Sequence, residues 1–154
     1  MSAYVIFDVD IWDLQKYQEF MVKVKPAIES ADDALAAVDC GAEGVVVSNH
    51  GGRQLDGVPG TLDKLPEVLA AVGDRAEVYI DSGIRNGIDA LIAIALGARG
   101  VMIGRSWVYA LASRGEAGVY DLLDLYRREM TAGMALAGVS RIEDLNADAL
   151  ERVQ

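Results

Sequence analysis

The single histidine of the chain, His50, stands in the run Ser48-Asn49-His50-Gly51-Gly52-Arg53. An imidazole can accept a proton near neutral pH, and a guanidinium fork matches the oxygens of a carboxylate or phosphate. Two more arginines share this kind of setting. Arg85 lies in Asp81-Ser82-Gly83-Ile84-Arg85-Asn86-Gly87, and Arg105 ends Ile103-Gly104-Arg105. Glycines let a ligand approach the backbone closely, and a helix starting just after such a loop adds N–H donors for an anion. The set predicts a site for an anionic ligand that carries both a phosphate and a carboxylate, or for two ligands, with a base among them. Plain structural readings stand beside it. Arg53 can be a surface arginine, and Arg85 and Arg105 can bridge loops by ion pairs. Asp81 can cap the turn into the next helix or touch a ligand.

These runs need elements to hold them. Each follows a short apolar segment, Val45-Val46-Val47, Val78-Tyr79-Ile80 and Val101-Met102-Ile103. Such runs read as strands of a parallel sheet. Helices are expected over Ala31–Cys40, entered through a Ser30–Asp33 capping box and closed by Gly41, around Pro66–Val72, and over Ile88–Leu96, closed by Gly97. Beyond Arg105, Val119, Leu122, Leu123, Tyr126, Met130 and Met134 form one long helical stripe, and Ser140–Glu143 reads as a capping box for a last short helix. Upstream, Tyr4–Asp10 reads as a strand, and Leu14, Tyr17, Met21 and Val24 as a helix stopped by Pro26. Alternating helices and strands define a parallel α/β architecture of about four strands with flanking helices and a C-terminal helical segment. In that architecture sites form at the carboxyl ends of the strands, where His50 and the three arginines fall.

Other residues read as structural. Cys40 is expected to be a packed thiol, and Trp107, Tyr109, Met130 and Met134 to be core. Glu116, Asp121, Asp124 and Glu129 are expected on a solvated face.

Composition narrows the function. At 154 residues the chain is too short for a complete (βα)8 barrel of about 250 residues. A hydrophobic fraction of 52% supports a real core, and a net charge of −10 argues against a nucleic-acid binder. A single cysteine excludes an internal disulfide framework and any multi-cysteine metal site. With no basic leader and no apolar run near the roughly 18–20 residues of a membrane span, the expected location is the cytoplasm.

Ser48–Gly57, Asp81–Gly87, Ile103-Gly104-Arg105 and the tail Glu129–Gly138 together resemble the FMN-dependent 2-hydroxy acid dehydrogenase family, most nearly its bacterial L-lactate dehydrogenases. The resemblance runs from about Ala31 to Leu150 and covers the C-terminal half of that family's (βα)8 barrel. It implies FMN as cofactor and a small 2-hydroxy acid as substrate. It implies that His50 is the catalytic base and that Arg53 holds the substrate carboxylate. It places Ser48, Asp81, Gly83, Arg85, Gly104 and Arg105 against the flavin, its ribityl chain and its phosphate. The family's substrate-contacting tyrosines and the aspartate that pairs with its base have no counterpart in the sequence. Lys25 lies near the position of the family's fifth-strand lysine, but one residue out of step and next to Pro26, and it also reads as a plain helix-end lysine.

Residues 3–29 resemble instead the first strand and helix of small ferredoxin-like α+β domains. The expected organisation is therefore residues 1–29 of different origin, joined to a half-barrel over residues 30–154. Three functional readings follow: an FMN-dependent oxidase or dehydrogenase, a half-barrel that only binds FMN or phosphate, and a chimeric scaffold without activity. Open sheet edges predict a homo-oligomer.

Overall fold

In the computed structural model, which describes residues 30–53 and 57–151, helices and parallel strands alternate. The strand expected over residues 4–10, the helix to Val24, Lys25 and the rest of residues 1–29 lie outside the described residues.

Helix α1 (Ala31–Asp39) starts at Ser30, whose Oγ accepts the Asp33 N–H at 3.2 Å and donates to Asp33 Oδ2 at 2.8 Å. The Ser30 half of the expected capping box is present, while the Asp33 carboxylate meets the Ser30 hydroxyl instead of a backbone N–H. Ala34 and Ala37 are the buried face of α1. Strand β1 (Gly44–Val47) follows, and its Val45 and Val47 are buried.

Helix α2 (Thr61–Val72) begins five residues before Pro66, earlier than the sequence pattern predicts. Thr61, Leu65, Val68 and Val72 form a buried stripe at helical spacing. That burial outweighs the one backbone hydrogen bond that exposed Pro66 cannot make. Strand β2 (Glu77–Ile80) leads to α3 (Gly87–Ala95), then to β3 (Gly100–Val101). Strand β3 is shorter than its apolar run, although Arg99 N–H donates to Val78 O at 2.7 Å and Met102 N–H to Ile80 O at 2.9 Å on either side. Among the described residues three strands form a parallel sheet in the order β1-β2-β3; the fourth expected strand, over residues 4–10, lies outside them. The α/β class and the parallel arrangement are as the alternation implies.

Helix α4 (Arg105–Leu136) is not one continuous rod. Arg114 (φ −145°) and Gly115 (φ 62°) interrupt it, which the sequence stripe does not reveal. At the break the two segments approach so closely that a Cβ on Gly118 would lie 2.2 Å from Ala110 O. The core gathers Val45, Val47, Val78 and Ile80 from the sheet with Leu65, Val68 and Val72 of α2, Ala90 and Ala93 of α3, and Tyr126 of α4. Helices α1 and α2 pack on each other, and α3 packs on both β3 and α4.

Several expectations change in this packing. Cys40 is exposed, because the buried stripe of α1 ends before the closing turn. Tyr109 is 67% exposed on the first segment of α4, Trp107 and Met134 are half-buried, and Met130 packs against the core. Ser140 does not cap a helix. The last turns are short 3-10 segments, Ile142–Asp144 and Ala147–Ala149, and the first has no side-chain cap. Arg141 Nε lies 3.5 Å from both the Glu143 and Asp144 carboxylates.

Candidate functional site

One register row, Val47, Ile80 and Val101, crosses all three strands. Because the strands are parallel, the segments that leave this row, Ser48–Arg53, Asp81–Asn86 and Met102–Arg105, emerge along one edge. Asp81 N–H donates to Val47 O at 3.1 Å and continues the β1–β2 pairing into this edge.

The first two segments are tied together by short polar contacts. His50 N–H donates to Ser48 Oγ at 3.2 Å, and Ser48 is buried. Gly52 N–H donates to Asn49 Oδ1 at 3.3 Å, and Asn49 Nδ2 to Pro59 O at 3.3 Å. Gly51 N–H reaches across to Ser82 Oγ at 2.9 Å, and that hydroxyl donates to Asp81 Oδ1 at 2.6 Å. Buried Thr61, the first residue of α2, donates its hydroxyl to Asp81 O at 2.7 Å and lies 3.1 Å from Ser82 O. Among the described residues, His50 (φ 53°) and Ser82 (φ 65°) are the non-glycine residues with left-handed backbone. Such conformations cost energy and persist where surrounding contacts over-determine them, often at functional sites. Here the contacts that impose them are the hydrogen bonds just named.

The third segment contributes charge. Arg105 is the first residue of α4, and its guanidinium extends to the β1 loop. A Cβ on Gly51 would stand 3.2 Å from Arg105 Nη2. A cation at a helix N-terminus opposes the helix dipole. The other helices start differently: α1 carries Asp32 and Asp33 in its first turn, α2 carries Asp63, and α3 carries Asp89. Helix α4 has no acidic residue in its first turn and no side-chain cap, and Gly104 before it is exposed with open space around it. That combination leaves the positive end of α4 uncompensated and open to an anion.

The pairing of the arginines agrees. Arg75, Arg99, Arg114, Arg127, Arg128 and Arg141 each pair with a carboxylate. Among the described residues, Arg53, Arg85 and Arg105 form no ion pair, in a chain whose acidic residues outnumber its basic ones 24 to 14. Among the described residues, the arginines left without a carboxylate are those at the strand ends. By contrast, a concavity of about 790 Å³ at the opposite end of the strands has Arg75 and Arg99 in its wall, both already neutralised by Asp39 and Glu77. The Arg99 and Tyr79 hydrogen bonds to Glu77 hold its carboxyl below its ordinary range, with Tyr79 the larger influence.

The structure thus brings Ser48, His50, Asp81 and Arg105 into one cluster. Arg53 ends the short turn His50–Gly52 and is exposed. Arg85 is exposed in the segment that follows β2, its N–H donating to Asp89 Oδ2 at 2.8 Å. No hydrogen bond or ion pair links Arg53 or Arg85 to the other predicted residues. Gly83 (φ 90°) is open to solvent with free space where a side chain would be. Asp81 does not cap α3, since Asn86 does so by accepting the Asp89 N–H at 2.8 Å. Sequence reasoning missed Thr61 and Ser82 as the fasteners of the loops, and Glu129, whose Oε2 accepts the Gly87 N–H at 2.7 Å. Ser82 was readable as part of its motif. Glu129 was not, because its partner lies 42 residues away.

The exposed, acid-free N-terminus of α4 has the chemistry to receive an anion such as a phosphate. The chain belongs to the FMN-dependent dehydrogenase family, whose pattern it matches over residues 5–152. It is 58% identical over 123 residues to an L-lactate dehydrogenase of Caulobacter vibrioides, covering 79% of this chain and 32% of that one. It is 48% identical over 151 residues to an L-lactate dehydrogenase of Vibrio parahaemolyticus, covering 96% of this chain and 40% of that one. Among solved structures it resembles (S)-mandelate dehydrogenase, described as a monotopic membrane protein, with a TM-score of 0.79 and 41% identity over 82% of this chain and 34% of that chain. A mandelate oxidase variant with a monooxide FMN adduct matches with a TM-score of 0.72 and 50% identity, over 76% and 37% of the two chains. The chain therefore spans about a third of the length of the relatives it matches. No helix among the described residues is long and apolar enough to cross a membrane.

Proposed function

We propose that the strand-end face binds FMN by its phosphate and oxidises a small 2-hydroxy acid of the L-lactate type to the 2-oxo acid. The observation that carries this reading is the acid-free, uncapped start of α4 with an unpaired Arg105, in a chain of the FMN-dependent dehydrogenase family. Gly104, Arg105, Gly83, Arg85 and Asp81 would hold the phosphate and ribityl chain, and Ser48 the neighbouring flavin edge. When bound, FMN supplies the two-electron acceptor. The chain's own part is the proton and the orientation. His50 takes the hydroxyl proton of the substrate on an imidazole whose backbone is fixed by Ser48 Oγ. Arg53, exposed at the end of the same turn, receives the substrate carboxylate.

A second reading has its own support. Among the described residues no carboxylate hydrogen-bonds the His50 imidazole, and a base without an orienting partner loses orders of magnitude in rate. On that reading the chain binds FMN without turnover. Anaerobic addition of L-lactate to the FMN-loaded chain separates the two: bleaching of the visible flavin bands supports oxidation, and a spectrum that stays oxidised supports binding alone. We also infer self-association through the outer edges of β1 and β3, which have no strand partner among the described residues. A monomer in sedimentation at micromolar concentration would contradict it.

A further inference from the structure

The geometry points to Glu129, on the C-terminal helix, as a positioning residue for the Asp81–Asn86 loop and hence for the affinity of the site for FMN. The inference rests on the FMN reading above. Glu129 Oε2 accepts the N–H of Gly87, the first residue of α3, at 2.7 Å in a partly buried setting. The carboxylate is delivered there by direct contact between helices. A Cβ on Gly87 would stand 2.3 Å from Tyr126 O, 2.8 Å from Glu129 Cβ and 2.9 Å from Met130 N. Position 87 therefore admits only glycine, and one turn of α4 sits on the start of α3.

Two more donors at this helix start are taken locally. Asn86 Oδ1 accepts the Asp89 N–H, and Asp89 Oδ2 accepts the Arg85 N–H, each at 2.8 Å. Arg85, Asn86 and Gly87 are thus held through three acceptors, of which only Glu129 comes from outside the segment. Two consequences follow. The loop that carries Gly83 and Arg85 is anchored to the second segment of α4, beyond the break at Arg114–Gly115, whereas Arg105 begins the first segment. In addition, the N-terminus of α3 is filled by the protein's own carboxylates, which leaves the N-terminus of α4 as the place for an external anion.

The test compares Glu129→Gln, which keeps a hydrogen-bond acceptor, with Glu129→Met, which keeps the length and loses it. FMN and riboflavin dissociation constants are measured for both variants and the parent. Amide hydrogen exchange at Arg85 and Gly87 is followed without flavin. The expected result for Glu129→Met is FMN binding weaker by about tenfold or more, the scale of a lost charge-assisted hydrogen bond. Riboflavin binding should change far less, and exchange at Gly87 should accelerate. Glu129→Gln should stay within about threefold of the parent. Equal loss of FMN and riboflavin affinity in Glu129→Met would mark a merely structural role and overturn the inference, as would unchanged FMN affinity. If the parent itself fails to bind FMN, the FMN reading falls and with it the claim on affinity. Exchange then judges the anchoring alone: unchanged exchange in Glu129→Met overturns it, and faster exchange at both amides upholds it.

Discussion

Replacing Arg105 by alanine separates a binding role from a structural one, because the two predict opposite signs. The Arg105 side chain is exposed, forms no ion pair among the described residues, and puts a cation at the positive end of α4. Removing it costs the apo fold no partner. It also relieves an unfavourable charge–dipole contact of about 0.3–1 kcal/mol at low salt. The urea midpoint of Arg105→Ala should therefore stay level or rise by a few tenths of a molar, for a slope of about 1–3 kcal/mol per molar. FMN affinity should move the other way. A guanidinium–phosphate hydrogen bond contributes about 1.5–3 kcal/mol, which converts to a dissociation constant about 10- to 150-fold larger. Arg105→Lys should fall between, since it restores charge without the fork. Quenching of FMN fluorescence gives the affinity, and urea unfolding followed by circular dichroism gives the stability. A fall in apo stability of more than about 1 kcal/mol would refute the reasoning, because it would make Arg105 a structural residue. So would FMN affinity equal to the parent's.

Further outcomes follow from the same contacts. His50→Ala should retain FMN and lose anaerobic reduction by L-lactate, and flavin reduced as fast as in the parent would remove His50 as the base. Gly87→Ala should destabilise the fold by about 1–3 kcal/mol or more, since its methyl meets backbone at 2.3 Å; an unchanged thermal midpoint would mean that α3 and α4 do not meet there. Burial pushes the Tyr126 phenol above its ordinary value, partly offset by its hydrogen bond to Ser106 Oγ at 3.3 Å. The folded state then favours the neutral phenol. Its contribution is fully present below the ordinary value of about 10 and is lost as pH rises through the higher folded value. Tyr126→Phe should flatten the alkaline loss of stability above about pH 10, and parallel pH–stability curves for the two proteins would contradict this.

What could be read in the sequence is what depends on local pattern. The three strands announced themselves as short apolar runs, and their parallel order made Ser48–Arg53, Asp81–Asn86 and Gly104–Arg105 share an edge before any coordinates. Ser30 and the glycines after α1 and α3 act within a few residues, so those helix ends were legible, whereas the start of α3 is capped by Asn86 and not by Asp81. Interactions between distant segments were not. Glu129 looks like one more acid on a charged helix until α4 is laid against α3, and Thr61 looks like a loop residue until its hydroxyl meets Asp81 O. The break at Arg114–Gly115 lies ahead of the apolar stripe that starts at Val119, so the stripe records a buried side beyond the break and says nothing of the backbone before it. Ser140 shows the converse error: a capping pattern can be present in the sequence where the backbone makes only a short 3-10 turn with no side-chain cap.

The most direct test of the account is the ratio of FMN to riboflavin affinity for the purified chain, at low and at moderate salt. The two ligands share the flavin ring and ribityl chain and differ in the phosphate. If Arg105 and the start of α4 are a phosphate cradle, FMN should bind at least about tenfold tighter than riboflavin, with the difference shrinking as salt screens it. Equal affinities, or a chain that retains neither ligand, would contradict the central claim.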